Sequence, residues 1–167
     1  MATYTRPFRL RVLDKLTEVL QTITVANGYT WDLDTSVFRG RRYYGENDPL
    51  PMLSILENLP LDQIENQNDN SGSFGQWELV IQGFVLDDPL NPTDPGYFLL
   101  SEVKAAIAKH IKSNGGKDNN LLSMGGLVDK IAIGSGTVSP PDDISAKAYF
   151  WLRLTIHIIE DLSEPYE

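Results

Sequence analysis

The sequence contains no cysteine, which excludes disulfide staples and thiolate metal sites and suits a reducing compartment. No apolar run approaches the ~18–20 residues that a membrane span requires, so no membrane partner is expected. The segment Met1 to Arg11 lacks a basic stretch followed by an apolar one, and it does not read as a signal peptide. A soluble product, made in the cytoplasm, is the expectation. Positive charge is scarce: 14 Lys and Arg face 23 Asp and Glu, a net charge of −9. Such a chain is poorly suited to hold many phosphates, which argues against a dedicated nucleic-acid binder. An acidic wall would instead let a duplex slide past without sticking.

What is present points to a folded core. Hydrophobic residues make up 41% of 167 residues, enough for one domain spanning 1–167. The last strand is the most legible element. From Ser145 to Glu160, Ala146, Ala148, Phe150, Leu152, Leu154, Ile156 and Ile158 alternate with Lys147, Tyr149, Trp151, Arg153, Thr155 and His157. Period two predicts a β-strand with one buried face. At about 3.3 Å per residue it spans roughly 45–50 Å, beyond the usual length of about 17–20 Å. One end is therefore expected to meet another subunit.

Residues 8–25 read as an amphipathic helix, with Val12, Leu13, Leu16, Val19, Leu20 and Ile23 in one stripe and Asn27-Gly28 as the stop. Short strands are predicted near Thr35 to Gly40 and over Met52 to Glu57, joined by a polar loop from Arg41 to Leu50. The stretch 58–75, with Glu65 to Ser73 free of aliphatic side chains, reads as a mobile hairpin tip that orders against a partner. Trp77 to Leu86 is the next strand, with Trp77, Leu79, Ile81, Gly83 and Val85 on one face. Asp94 is expected to cap a second helix, with Pro95 at its first position and Leu99, Val103, Ile107 and Ile111 inward. Another strand lies near Leu127 to Ile133, and a loop from Gly134 to Asp143 leads into the final strand. The order α-β-β-β-α-β-β predicts an α+β fold, a mostly antiparallel sheet with two helices on one face.

Catalytic and metal chemistry find little support. Gly134-Ser135-Gly136 is not a nucleophile elbow and is better read as a loop. His110 and His157, the two histidines, lack metal-ligand spacing. His110 is expected near a helix C-terminus, where partial positive charge is favoured. Asp32-Leu33-Asp34 lacks the glycine and closing glutamate of a calcium loop. Asp87-Asp88 and Asp142-Asp143 are turn residues beside prolines, although carboxylate pairs of glycosidase type are spatial and leave no spacing to read. Gly115-Gly116-Lys117 is followed by Asp118, which would repel phosphate. No catalytic, cofactor or metal residues are assigned, and no enzyme is expected.

One basic cluster stands out: Arg39-Gly40-Arg41-Arg42-Tyr43-Tyr44. Arginine and tyrosine together suit stacking on bases, a solvated loop, or a protein interface, where both are enriched. In a chain of charge −9, contact with an acidic neighbouring subunit explains them best.

At this point the chain resembles the tail terminator family of long-tailed bacteriophages. Five features carry the likeness: the opening helix ending at Asn27-Gly28-Tyr29; the turn Val37-Phe38-Arg39-Gly40; the strand Leu50-Pro51-Met52-Leu53-Ser54-Ile55; Trp77 to Leu86 with a helix from near Tyr97; and the closing strand before the acidic tail Glu160 to Glu167. The likeness rests on element order and composition and contains no invariant motif. It implies a virion protein of the tail or neck. Six copies would form a ring on the last ring of the tail tube, stop polymerisation, and offer a docking surface to the head. DNA would pass through the lumen without sequence-specific contact. Partners would be further copies of the chain, the tail tube protein and a head-tail connector or other neck protein. Arg39, Arg41, Arg42, Tyr43 and Tyr44 are the expected subunit or tube contacts, and Asn68, Asp69, Asn70, Ser71 and Phe74 form a second candidate segment. Another neck component, such as a head-tail connector or tail completion protein, and more remotely a hydrolase or a carbohydrate-binding module using Trp31, Trp151 or Tyr149, are the competing functions.

Overall fold

The computed structural model describes residues 5–57, 66–67 and 71–166. Two helices, α1 (Phe8–Gln21) and α2 (Asp94–Asn114), accompany strands β1 (Val37–Arg39), β2 (Met52–Glu57), β3 (Asn66–Gln67), β4 (Gly72–Val85), β5 (Val128–Ser139) and β6 (Ala148–Asp161). The strands form one sheet in the order β1-β2-β4-β6-β5, and β3 pairs with the opening of β4. Only β1 and β2 run parallel; every other pairing is antiparallel. The fold is α+β, as the element pattern predicts, with both helices packed on one face of the sheet.

The central ladder is long. All 14 residues of β4 pair with β6, from Gly72↔Asp161 to Val85↔Ala148. The face towards the helices takes Trp77, Leu79 and Ile81 from β4, and Phe150, Leu152, Leu154, Ile156 and Ile158 from β6, all buried. Phe8, Val12, Leu16 and Leu20, four apart along α1, meet this face beside Leu99, Val103 and Ile107 of α2. Removing each such side chain from water contributes about 1.5–3 kcal/mol.

Several boundaries depart from the sequence reading. Helix α1 stops at Gln21 rather than near residue 25. Four β-branched residues follow, Thr22 to Val25, and they disfavour helix. Thr24 turns extended and its side chain accepts from the Asn27 N–H. Helix α2 begins at Asp94, so Asp94 is not the cap: Thr93 precedes it without a side-chain bond, and Asp94 lies in the first turn, where the helix dipole favours an acid. The expected loop after Ile133 is largely strand. Gly134 and Ser135 make a bulge, pairing resumes at Gly136↔Leu152, and β5 runs to Ser139. Gly136 lets α2 approach closely there, since a Cβ would stand 2.9 Å from Leu100 Cδ2 and that side chain would have to shift. The polar stretch expected over 58–75 is interrupted: β3 occupies 66–67 and β4 begins at Gly72, while 58–65 and 68–70 lie outside the described residues.

The start of α1 has no side-chain cap and no acid in its first turn. The C-terminal tail supplies what is missing: the Phe8 N–H donates to the Pro165 carbonyl at 2.9 Å. Arg9 of the same turn reaches Glu160 at the end of β6 (2.7 Å) and lies over the Trp77 ring.

Candidate interface on the helix-free sheet face

Side chains that alternate away from the helices form a second surface. Phe38, Met52, Ser54, Leu56, Val80, Gln82, Phe84, Tyr149, Trp151 and Arg153 share it by register. Residues 40–51, the crossover that a parallel pair needs, cover one part of it. Met52, Phe84 and Tyr149 are buried beneath this crossover, against Phe38, Tyr44 and Leu50. Tyr149, expected on the exposed polar face of the last strand, is only 2% exposed. The crossover covers it, and its hydroxyl donates to Asp142 Oδ2 at 2.8 Å. That bond, with the N–H groups of Ile144 and Ser145, holds the Asp142 pKa below the ordinary carboxylate value. Burial, and then the same aspartate, push the Tyr149 hydroxyl pKa up.

The rest of this face is an open groove of about 880 Å³. Its floor is Val80, Gln82, Leu56 and Trp151, and its walls come from the crossover, β5 and the turn before β6. The Gln82 carboxamide fixes the floor. In the orientation that satisfies both its ends, its nitrogen donates to the Arg42 carbonyl (3.1 Å) and its oxygen accepts from the Trp151 indole N–H (3.0 Å). Trp151 also meets the Tyr149 ring edge-on at 5.4 Å.

The Arg/Tyr cluster is dispersed by the fold. Arg39 turns to the helix side, where it and Arg6 share Asp14 of α1. Burial acts to raise the Asp14 pKa, but the bonds from Arg39 and Arg6 outweigh it and leave the value lowered. Arg41 binds Asp48 at 2.6 Å and stacks 3.6 Å above the Phe38 ring. Tyr44 is half-buried and donates to the Asp48 carbonyl. Arg42 and Tyr43 line the groove.

In the second candidate segment, Ser71 is left-handed (φ 60°) and its carbonyl accepts from the Leu162 N–H. Phe74 is 52% exposed and pairs with Ile159, itself exposed, at the far end of the ladder. Asn68, Asp69 and Asn70 lie outside the described residues. Of the aromatics considered for sugar stacking, Tyr149 is buried and Trp31 packs against the core, leaving Trp151 at the groove.

Two features escaped sequence reasoning. The groove draws on four strands, so no local spacing marks it, although alternation did place Trp151 and Arg153 outward together. The second is the partner of His110, which lies near the end of α2 as expected. Its Nε2 accepts the Leu122 N–H at 3.0 Å, which requires the neutral ring, and burial lowers its pKa. Among the described residues, no three His, Asp or Glu side chains converge as a metal site. No protein-family model matches this chain, and neither does any curated protein.

Proposed function

We propose that this chain is a structural virion protein, a tail terminator that closes into a ring on the end of a phage tail tube. The ring halts tube polymerisation and presents a docking surface to the neck protein on the head side. The observation that carries this reading is the outer edge of β5. It is the last strand of the sheet; Asp129, Lys130 and two bulges blunt its first half, but past the second bulge the run Gly136 to Ser139 contains neither charge nor proline. Proteins that remain alone protect such edges with charges, proline, bulges or a covering element. Here those devices stand before Gly136 and at Pro140, and the run between them offers a neighbour an edge to pair with. A neighbour that covers it in a head-to-tail manner generates a closed ring when the rotation permits.

Further support comes from the 14-residue strands β4 and β6, which carry exposed Phe74 and Ile159 at one end of the ladder, with exposed Leu162 just past that end and Leu86 beyond the other. Such ends suit contacts above and below a ring. A net charge of −9 suits a lumen that DNA must traverse without adhering. The resemblance set out above supplies six as the copy number.

Electron microscopy of the purified protein, mixed with tail tubes of the same phage during growth, tests the reading. Rings at one tube end and arrested elongation are the expected result. Tubes that elongate unchanged and carry no density at their ends refute it, and rings found only on head vertices reassign the chain to another neck position.

A further inference from the structure

Arginine usage singles out the groove. Arg6 and Arg39 bind Asp14, Arg9 binds Glu160, Arg41 binds Asp48, and Arg11 lies over the Phe8 ring. The two remaining arginines, Arg42 and Arg153, have no ion-pair partner among the described residues, and both line the groove. With them stand Trp151, 39% exposed, and Tyr43, 71% exposed. Trp, Tyr and Arg are the side chains that dominate binding energy at protein interfaces. Trp151 is already fixed by Gln82 and Tyr149, so little freedom is lost when something covers it. Glu57 and Asp143 also line the groove and balance the two arginines, so it suits an occupant held mainly by apolar and aromatic contact, with carboxylates placed locally against the arginines, rather than a phosphate backbone charged along its whole length.

A matching element exists on the same chain. The turn after β4 exposes Leu90 at 87%, and Leu86, Tyr97 and Phe98 beside it in sequence are also exposed. It is rigid: Asp88 Oδ1 accepts from the N–H groups of Leu90 and Asn91 (2.8 and 2.7 Å), and the Asp94 N–H donates to the Asn91 carbonyl (3.0 Å). Pro89, Pro92 and Pro95 restrict it further. Its charges are all acidic: Asp87, Asp88 and Asp94. The turn leaves the Val85 end of β4 and feeds α2 on the helix side of the sheet, whereas the groove lies on the opposite face.

We infer that the acidic turn 86–98 of one copy docks into the groove of the next copy. Leu90 lies against Trp151 and Tyr43, and the turn's carboxylates meet Arg42 and Arg153. The union joins two different surfaces, so it propagates in one direction around a ring. It is also continuous with the β5 edge, because Ser135 and Thr137 belong to both edge and groove. The inference deepens the ring reading given above and rests on it.

The absence of cysteine makes a clean test possible. Leu90→Cys and Thr137→Cys proteins, both altered at exposed positions, are mixed in glutathione redox buffer at high protein concentration and resolved without reductant. The expected product is the mixed disulfide, at least about tenfold over either homodimer. The double variant should give a covalent ladder that ends at a closed ring. Adding Arg42→Glu and Arg153→Glu to the Thr137→Cys protein should reduce the mixed product at least about tenfold, the effect of losing a single interface hot spot. Circular dichroism checks that each variant is folded, and Leu90→Asp in place of Leu90→Cys should abolish self-association in light scattering. Homodimers equal to the mixed species, or no disulfide at all, overturn the inference. Silence in a protein that still caps tubes overturns this docking and spares the capping function. A ladder from a protein that never engages tubes sustains the docking and overturns the capping function.

Discussion

Replacing Gly83 by alanine tests how closely the sheet and core are fitted. Gly83 lies on the helix face of β4, directly opposite Phe150 of β6. A Cβ built there would stand 2.2 Å from Phe150 Cε1, 2.5 Å from Cζ and 2.9 Å from Cδ1. Phe150 is fully buried, so its ring has no solvent into which to swing. Two effects compete. Alanine restricts the unfolded chain, which favours folding by about 0.4–1 kcal/mol. Overpacking a filled core costs about 1–3 kcal/mol. The clash involves three ring atoms at once, so it should dominate, with a net loss of roughly 1–2 kcal/mol and a Tm lowered by about 2–8 °C. Urea titration and thermal melts would measure this. Phe150→Leu removes the ring atoms in question, so the double variant should be less destabilised than the sum of the singles by at least about 0.5 kcal/mol. A Gly83→Ala protein as stable as the parent, or strictly additive singles, would refute the packing argument.

Stability should also depend on His110. Its pKa is lowered by folding, so its contribution is complete above about 6.5 and declines as pH falls from there towards the folded value. Melts at pH 7.5 and 5.5 should show this loss in the parent and a smaller one in His110→Gln; identical pH dependence in the two would contradict the neutral-acceptor assignment. Asp14 behaves similarly at lower pH: its folded pKa is depressed, so the stability it contributes is present above about 3.8 and is lost as pH falls through that range. Asp14→Asn should cost up to about 1 kcal/mol near neutrality, because the pairs are largely solvated, and a loss of several kcal/mol would contradict that placement. Arg39→Ala should lower stability slightly and leave assembly intact, whereas Arg42→Ala should leave melting unchanged and weaken assembly in sedimentation. The reverse pattern would contradict the division of labour between these two arginines.

Much of the fold is written locally. Most of the final strand and the inward stripe of α2 follow from hydrophobic period, because one face of each is buried against one layer, whereas β2 shows as a short apolar run buried on both faces. What local period missed was decided by distant neighbours. Tyr149 sits on the polar phase of β6 yet is buried, because the crossover 40–51 folds over it and Asp142 satisfies its hydroxyl. Gly134-Ser135-Gly136 looks like a loop in sequence, but β6 offers a partner past the bulge and α2 presses Leu100 onto Gly136. His110 lies near the end of α2 as its sequence position implies, but its partner, the Leu122 N–H, is brought to the ring by the segment after α2. The Arg/Tyr cluster drew notice by composition, yet the end of β1 turns Arg39 to the helix side while the crossover carries Arg42 to the groove.

The central claim is that copies of this chain join side by side through the β5 edge, and hydrogen–deuterium exchange along β5 measures it most directly. In dilute protein the outward-facing amides between Ile131 and Ser139 should exchange rapidly, as unpaired edge groups do. In ring-capped tube ends the same amides should slow by at least about tenfold, which corresponds to a neighbour bonded along the edge. Equal exchange in both samples, with protection appearing elsewhere or nowhere, would contradict the account.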